Sequence, residues 1–230
     1  MDDAVRLPNM SLQKLDSIVF DLDGTLWDSC PACAVAWNHV LERNGIAFRE
    51  ITTQDIQAVA GKPHEACIRE VFDGLPEHHI QMLTAETAEE DLNFIRRLGG
   101  VLYDGVAEGL GQLSERFPLF IVSNCQSGYI EMFLEMTGLG PAIRDVECWG
   151  NTGRPKGENL QSLISRNGLQ RPVMVGDAEG DKLAAESCGV PFLHVTYGYF
   201  DLAGDHPRFE SFEALTGHLL SGSETVSAGA

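Results

Sequence analysis

The chain has 230 residues, enough for one large α/β core or for a core with a smaller inserted unit. Hydrophobic residues make up 43% and charged residues 22%, which is typical of soluble globular proteins, whereas the formal net charge of −18 argues against nucleic acid and anionic membranes as partners. No apolar run approaches the ~18 residues that a membrane-spanning helix needs.

The first predicted element is a buried strand over residues 17–21, which ends before Gly24. From about residue 31 to residue 99 the hydrophobic periodicity is helical and β-branched runs are scarce, which predicts four helices and no strand. The expected helices cover residues 34 to about 45, 53–60, 63–72 and 76–98, with Thr53, Pro63 and Pro76 as start signals.

After residue 103 the pattern alternates between strands and helices. Strands are predicted at 119–123, 145–149, 173–176 and 192–195, and helices at 129–136, 157–167, 182–188 and 211–220. Such alternation is typical of a parallel sheet with helices on both faces, to which residues 17–21 also belong. The predicted domains are a core of residues 1–28 and 104–230, with 1–14 and 221–230 flexible, and a helical insertion at 29–103.

Two carboxylates, Asp21 and Asp23, follow the first strand directly. Side chains at i and i+2 of a strand point the same way, which places these two about 6–7 Å apart along the chain. Adjacent carboxylates repel each other and are costly to remove from water. A hard cation relieves that cost, and Mg²⁺ is usually held by one or two carboxylates together with a substrate phosphate.

Residues 21–25, Asp-Leu-Asp-Gly-Thr, closely resemble the first motif of the haloacid dehalogenase-like hydrolase superfamily. Three later motifs occur in the family's order: Ser123 followed by Asn124 after an apolar run, then Lys156, then Gly-Asp-Ala-Glu-Gly-Asp at 176–181. On these motifs the chain is similar to the helical-cap, phosphoglycolate phosphatase-like branch. The resemblance implies an α/β fold, in which a Rossmann-like parallel sheet core carries an inserted helical cap domain.

The same resemblance implies a Mg²⁺-dependent phosphatase, a phosphoric monoester hydrolase acting on a small phosphorylated metabolite through an aspartyl-phosphate. Asp21 matches the family's nucleophile and Asp23 its general acid/base. Asp21, Asp177 and the backbone carbonyl of Asp23 match the metal ligands. Ser123 and Lys156 match the residues that contact the transferring phosphoryl group.

Further members of the site follow from the resemblance. Backbone N–H groups of Leu22 and Asn124 are expected to bind phosphoryl oxygens. Asp181 is expected to orient Lys156 or a metal-bound water. Lys156 departs from the commonest family pattern, because Gly157 follows it where Pro is usual.

The helical insertion is expected to select the substrate. Residues 61–65, Gly-Lys-Pro-His-Glu, lie at a junction between helices where related capped phosphatases place a substrate loop. Lys62 and His64 either meet an anionic leaving group there or mark an exposed helix start. Two other activities stay open: a sugar-phosphate mutase of the β-phosphoglucomutase type, and a non-catalytic phosphometabolite binder, which would be expected to have lost Asp21 or Asp23.

Cysteine usage bears on cellular location. The six cysteines show no dense spacing, and the first residues lack a secretory pattern, so a cytoplasmic protein with reduced thiols is expected. Cys30 and Cys33 have metal or redox spacing, but no second pair completes a zinc set. Cys125 is expected to be a small buried hydrophobe near the pocket. The sequence alone leaves the phosphate ester and the oligomeric state open.

Overall fold

The computed structural model describes residues 15–223 of the chain. The strands are β1 Ser17–Phe20, β2 Trp27–Asp28, β3 Val101–Leu102, β4 Leu119–Ser123, β5 Ile143–Cys148, β6 Pro172–Gly176, β7 Phe192–Val195 and β8 Arg208–Phe209. Six of them form one parallel sheet in the order β5-β4-β1-β6-β7-β8, and β2 pairs with β3 in an antiparallel ribbon.

Ten α-helices are found among the described residues, together with one turn of 3₁₀ helix at Gly140–Ala142. They are α1 Cys30–Arg43, α2 Thr53–Val59, α3 His64–Val71, α4 Glu77–Leu98, α5 Val106–Ser114, α6 Tyr129–Thr137, α7 Trp149–Thr152, α8 Lys156–Asn167, α9 Glu179–Cys188 and α10 Phe212–Ser223. None of these helices combines the length and apolar character needed to cross a bilayer.

The four inner strands β1, β4, β6 and β7 are mostly apolar and are buried along their whole length, so the sheet is covered on both faces. In β1, Ile18 and Phe20 belong to a core cluster that includes Phe212 of α10, whereas Val19 belongs to a second cluster that includes Leu160 of α8. Successive side chains of a strand point to opposite faces, so a continuous apolar strand requires a helix layer on each side. This arrangement confirms the predicted α/β fold with a Rossmann-like parallel core.

Strand order places β1 at the centre of the sheet, and the chain builds outward from it first in one direction and then in the other. Open α/β sheets bind ligands beyond the carboxyl ends of the strands, at the point where the strand order reverses. Asp21, Ser123 and Asp177 lie at or directly after the carboxyl ends of β1, β4 and β6. The topology therefore gathers these residues at one edge.

Helices α1–α4 form a group above that edge, which we call the helical cap. Helix α1 packs along α4, where Trp37 is 2% exposed and its indole N–H donates to Asp91 at 3.0 Å. The chain leaves the core after β2 and returns through β3, and these two strands pair at the base of the cap. The sequence-based boundary at 29–103 stays a prediction, because packing does not show whether the cap is an independent domain.

Several element ends differ from the predicted positions. Helix α1 begins at Cys30 rather than at residue 34, and α9 begins at Glu179 rather than at residue 182. Two further differences concern the end of a strand and the cap of a helix. The strand expected at 145–149 covers Ile143–Cys148, and Trp149 begins helix α7 instead. The N-cap of α2 is Thr52, which forms a reciprocal capping box with Asp55, rather than Thr53. Both differences are shifts of one or two residues at element ends, where local patterns constrain the backbone least.

Several elements were not predicted. Helix α5 contains Gly109 and Gly111, which lower its intrinsic helix propensity. Gly109 is needed for packing, because a Cβ there would lie 2.6 Å from the Phe212 ring. Strands β2, β3 and β8 have two residues each and are too short to show a period. Of the segments expected to be flexible, 1–14 and 224–230 lie outside the described residues, and 221–223 end α10.

Candidate active site

The loop after β1 brings the first and fourth motifs into contact. The N–H of Asp21 donates to the carbonyl of Val175 in β6 at 2.8 Å, which extends the sheet pairing by one residue. Gly24 then has φ +84°, and a Cβ at this position would lie 2.4 Å from Oδ2 of Asp177. A side chain at position 24 would therefore be strained and would displace the Asp177 carboxylate.

Three carboxylates, those of Asp21, Asp177 and Asp181, share one buried point of the site. Each residue is at most 2% exposed, and one oxygen from each lies within 4.8 Å of the others. Lys156 is 4% exposed, and its ammonium group contacts Asp21 and Asp181, the latter at 2.5 Å. Three carboxylates against one ammonium leave a surplus of two negative charges when all are ionised.

The protonation equilibria reflect this surplus. Burial, followed by repulsion from Asp181, raises the pKa of Asp21 well above its usual value and raises the pKa of Asp177 to about 7. Burial lowers the pKa of Lys156, but attraction to Asp181 and Asp21 outweighs that effect, so this pKa is raised overall. The Lys156 ammonium therefore stays charged, but its single positive charge does not balance the three carboxylates.

The donor set fits a divalent cation. Oδ2 of Asp21 is buried and has no hydrogen-bond partner within residues 15–223, although an isolated buried carboxylate oxygen is costly. In contrast, both oxygens of Asp181 already accept hydrogen bonds, from Lys156 and from the N–H of Ala178 at 3.0 Å. Asp21 is thus better placed than Asp181 as a direct ligand of a hard cation, and Asp181 as the residue that holds Lys156. Both oxygens of Asp177 also accept hydrogen bonds, from the Thr25 hydroxyl at 3.4 Å and from the N–H of Tyr199 at 2.7 Å, and its role as a metal ligand stays a prediction.

Asp23 lies apart from this carboxylate cluster. Its Oδ1 accepts a hydrogen bond from the Tyr129 hydroxyl at 2.5 Å, and Ser29 donates to the same hydroxyl at 2.5 Å. Burial raises the pKa of Asp23 to about 6, against the lowering effect of the Tyr129 hydrogen bond. A carboxyl group with this pKa exchanges its proton near neutral pH, as a general acid/base must. Its expected role as a metal ligand through its backbone carbonyl stays a prediction.

Sequence reasoning missed Tyr129, because no motif marks it and it lies 106 residues from Asp23. We expect Tyr129→Phe to lower kcat/KM about tenfold, since one hydrogen bond to a charged group is lost. That hydrogen bond lowers the pKa of Asp23, so its loss moves the Asp23 limb of the pH–rate profile to higher pH. Steady-state kinetics over a pH series measure both effects.

The control for that experiment is Thr137→Ala, which removes a hydroxyl from the same helix, where it donates to the carbonyl of Phe133. This variant should keep the parental pH profile. A Tyr129→Phe profile that coincides with the parental one would show that Tyr129 does not position Asp23.

Ser123 and Asn124 lie at the end of β4 and line the same cavity as Asp21 and Asp23. The Ser123 hydroxyl oxygen accepts the N–H of Cys125 at 3.2 Å. The side chain of Asn124 donates to the carbonyl of Gly61 in the cap at 2.7 Å. Asn124 therefore joins the cap to the core at the mouth of the site.

The cavity lies between the cap and the carboxyl edge of the sheet and has an empty volume of about 640 Å³, including its open mouth. Lys62 and His64, the two predicted substrate contacts from the cap, both line it. The Lys62 ammonium, however, pairs with Glu70 at 2.5 Å, and the Lys62 side chain is 44% exposed. His64 is turned inward, with Nε2 2.9 Å from the Thr87 hydroxyl. Whether either residue contacts substrate stays a prediction.

Four cysteines also line the cavity, namely Cys30, Cys33, Cys67 and Cys125. All six cysteines of the chain are free. Burial raises the pKa of the Cys30 and Cys33 thiols, so these thiols stay protonated and unreactive.

Comparison with known proteins places these observations in a family. The model of the haloacid dehalogenase-like hydrolases matches residues 18–195. A phosphoglycolate phosphatase of Vibrio vulnificus is 31% identical over 203 residues, covering 83% of this chain and 87% of the relative. The phosphoglycolate phosphatase of Agrobacterium fabrum is 29% identical over 202 residues, covering 80% of this chain and 82% of the relative.

Solved structures show the same fold. The crystal structure of a predicted phosphoglycolate phosphatase from Haemophilus somnus has a TM-score of 0.77 at 21% identity, covering 89% of this chain and 97% of that one. A predicted phosphatase from Clostridium acetobutylicum has a TM-score of 0.74 at 18% identity, covering 90% of this chain and 99% of that one. At these identities the likeness concerns the fold alone.

The family model covers more than three quarters of the chain, and the two curated relatives align with 80% and 83% of it. The sequence-based identification of the family, of its phosphoglycolate phosphatase-like branch and of a phosphoric monoester hydrolase is confirmed at that level. The chain belongs to the haloacid dehalogenase-like hydrolases.

Proposed function

We propose that this protein is a Mg²⁺-dependent phosphatase that hydrolyses a small phosphorylated metabolite through an aspartyl-phosphate at Asp21. The observation that supports this most directly is the state of the Asp21 carboxylate. One oxygen is held by Lys156, and the other is buried without a partner in a residue that lines the cavity. A fixed carboxylate with one unengaged oxygen is suited to nucleophilic attack.

The proposed reaction has two steps. An oxygen of Asp21 attacks phosphorus and the bond to the leaving oxygen breaks, while Asp23 transfers its proton to that oxygen. Asp23, now ionised, then removes a proton from water, and the resulting hydroxide attacks phosphorus and releases orthophosphate and the Asp21 carboxylate. The pKa of about 6 at Asp23 supports this alternation of acid and base.

The remaining predicted residues bind the phosphoryl group. The proposed donors to its non-bridging oxygens are the Ser123 hydroxyl, the backbone N–H groups of Leu22 and Asn124, and the Lys156 ammonium. The cap limits the access of water to this group through the contact between Asn124 and Gly61.

The carboxylates of Asp21 and Asp177, with the backbone carbonyl of Asp23, are the proposed ligands of Mg²⁺. An ion held by these residues would offset the surplus negative charge and would supply Lewis-acid polarisation of the phosphoryl group. The surplus negative charge of the three carboxylates and the raised pKa of Asp177 support the need for a cation at this point.

The test is release of orthophosphate from a panel of small phosphate esters by the purified protein. We expect turnover with Mg²⁺ and a loss of about 100-fold or more with EDTA, because a metal ion contributes several kcal/mol to such transition states. Rearranged sugar phosphate without orthophosphate release would instead identify the mutase.

Mg²⁺ should also raise the Tm, because a ligand that binds only the folded state stabilises it. Asp177→Asn should abolish that shift, whereas Glu179→Gln, at the exposed first residue of α9, should retain it. Equal turnover with and without EDTA would refute the proposed metal dependence.

We also propose a cytoplasmic location, supported by six unpaired cysteines. The net charge of −18 supports a small metabolite rather than nucleic acid as the partner.

A further inference from the structure

The cavity has two chemically different ends. The phosphate end contains Asp21, Asp23 and Ser123 from the core, and the opposite wall contains His64 and Asp91 from the cap. Asp23 of the core and Asp91 of the cap line this same cavity, and repulsion from Asp23 makes a small contribution to the raised pKa of Asp91. A leaving group whose oxygen lies at Asp23 therefore extends toward Asp91.

Asp91 is an unusual residue for this position, because it is only 4% exposed and makes no ion pair with Lys or Arg among the described residues. Its Oδ1 accepts the indole N–H of Trp37 at 3.0 Å. Its Oδ2 lies 3.7 Å from Nδ1 of His64, too far for a good hydrogen bond. Buried carboxyl groups usually have stronger partners.

His64 does not supply a positive charge. The Thr87 hydroxyl donates its one proton to the carbonyl of Leu83 at 2.6 Å, so Nε2 of His64, 2.9 Å from that hydroxyl oxygen, must be the donor. Burial lowers the pKa of His64 to about 4, which makes the ring neutral at pH 7. A neutral ring with its proton on Nε2 presents Nδ1 as an acceptor toward Asp91.

The other cap residue that could supply a positive charge is Lys62, but its ammonium pairs with Glu70 at the surface. The wall thus offers the acceptors Asp91 Oδ2 and His64 Nδ1, and no cation from the cap. Burial raises the pKa of Asp91 to about 8, against hydrogen bonds from Trp37 and Cys33, so Asp91 holds a proton when no ligand is bound. Even then it offers a single donor and no charge.

We propose that Asp91 and His64 select a substrate whose leaving group ends in a hydroxyl or ammonium group, rather than in a carboxylate. This inference rests on the proposed phosphatase function. A hydroxyl or ammonium donates to Asp91 Oδ2 and His64 Nδ1. A carboxylate, as in phosphoglycolate, would find there only the single proton of Asp91 and no counter-ion, which is unfavourable.

The first test uses the parental protein with Mg²⁺ and three esters that share a two-carbon chain: phosphoethanolamine, 2-hydroxyethyl phosphate and 2-phosphoglycolate, with their three-carbon counterparts. We expect kcat/KM for the ammonium or the hydroxyl ester to exceed that for the carboxylate ester about tenfold or more at one chain length, as expected for one hydrogen bond to a charged group. The faster of the two identifies which donor the site prefers. A preference for the carboxylate ester at both lengths would overturn the inference.

The second test is Asp91→Asn, which keeps an acceptor for Trp37 but cannot ionise when an ammonium group binds. The ratio of kcat/KM for the preferred ester to that for 2-phosphoglycolate should fall about tenfold, mostly through KM. The control, Glu89→Gln on the exposed side of the same helix, should keep the parental ratio. An unchanged ratio in a folded Asp91→Asn protein would also overturn the inference; if that variant does not fold, the parental ratio decides.

p-Nitrophenyl phosphate separates this inference from the proposed function. Hydrolysis of that ester together with a preference for carboxylate esters would leave the phosphatase intact and reject the role of Asp91. A lack of phosphate release from every ester would reject the phosphatase, and the substrate selection with it.

Discussion

Asp21→Asn is expected to reduce kcat on the best ester by about 10⁴-fold or more, because removal of a catalytic nucleophile has effects of that order or larger. The amide has the shape of the carboxylate but lacks its charge and nucleophilic oxygen. It also removes one negative charge from a buried cluster in which three carboxylates face one ammonium. The folded, metal-free variant should therefore be at least as stable as the parent, as measured by urea denaturation in EDTA.

Measured stability of Asp21→Asn distinguishes loss of the nucleophile from loss of folding. Loss of activity together with loss of folding would say nothing about a nucleophile, whereas loss of activity in a stable protein would support one. Asp73→Asn, at an exposed aspartate of the cap, is the matched control and should retain activity within about twofold. Near-parental turnover in Asp21→Asn would exclude the covalent route.

Lys156→Met is expected to have the largest effect on stability. The Lys156 side chain is 3% exposed and pairs with two carboxylates that are equally buried. Removing one partner from such a pair leaves an uncompensated buried charge, at a cost of about 3–5 kcal/mol. Turnover should also fall below detection, since the ammonium contacts the proposed nucleophile directly.

The loss of stability in Lys156→Met should depend on pH in a definite direction. Without the ammonium, the pKa of Asp21 in the folded state rises further above its unfolded value, so the folded protein binds more protons than the unfolded chain at intermediate pH. Stability of the variant then decreases as pH rises through this window. The deficit relative to the parent should accordingly be smaller at pH 5 than at pH 7.5.

Urea denaturation in EDTA at both pH values tests this prediction. Lys182→Met is the control, because Lys182 makes an ion pair with Glu179 near the surface, and it should change stability by less than about 1 kcal/mol. If Lys156→Met lost the same stability at both pH values, or lost none, its role in compensating the cluster would be wrong.

Much of the fold was predictable from local patterns. The four cap helices and the strands that become β1, β4, β6 and β7 have clear periods or continuous apolar runs, and they occur where they were expected. Helix α5 was missed because two glycines weaken its local signal, and Phe212 stabilises it from a helix about 100 residues away. Strands β2 and β3 have two residues each, which is too short to show a hydrophobic period. They form because they pair with each other.

The cap shows why site residues are harder to predict than elements. Residue type and position in a helix junction suggested that Lys62 and His64 act together. Their environments differ, because Glu70 lies within reach of Lys62 at the surface, whereas Thr87 draws the His64 ring inward. Nothing in the sequence near Asp91 distinguishes it from the exposed Glu89 of the same helix.

The sequence by itself determined the family, the parallel α/β core and the residues that follow strand ends, because apolar runs, glycine turns and motif residues are encoded locally. Only the tertiary structure decided which charges meet. It placed Asp181 and Lys156 together, attached Tyr129 to Asp23 and gave Asp91 no Lys or Arg partner among the described residues. These contacts join residues far apart in the chain, and their energies depend on burial and distance, which become defined only when the helices and strands pack.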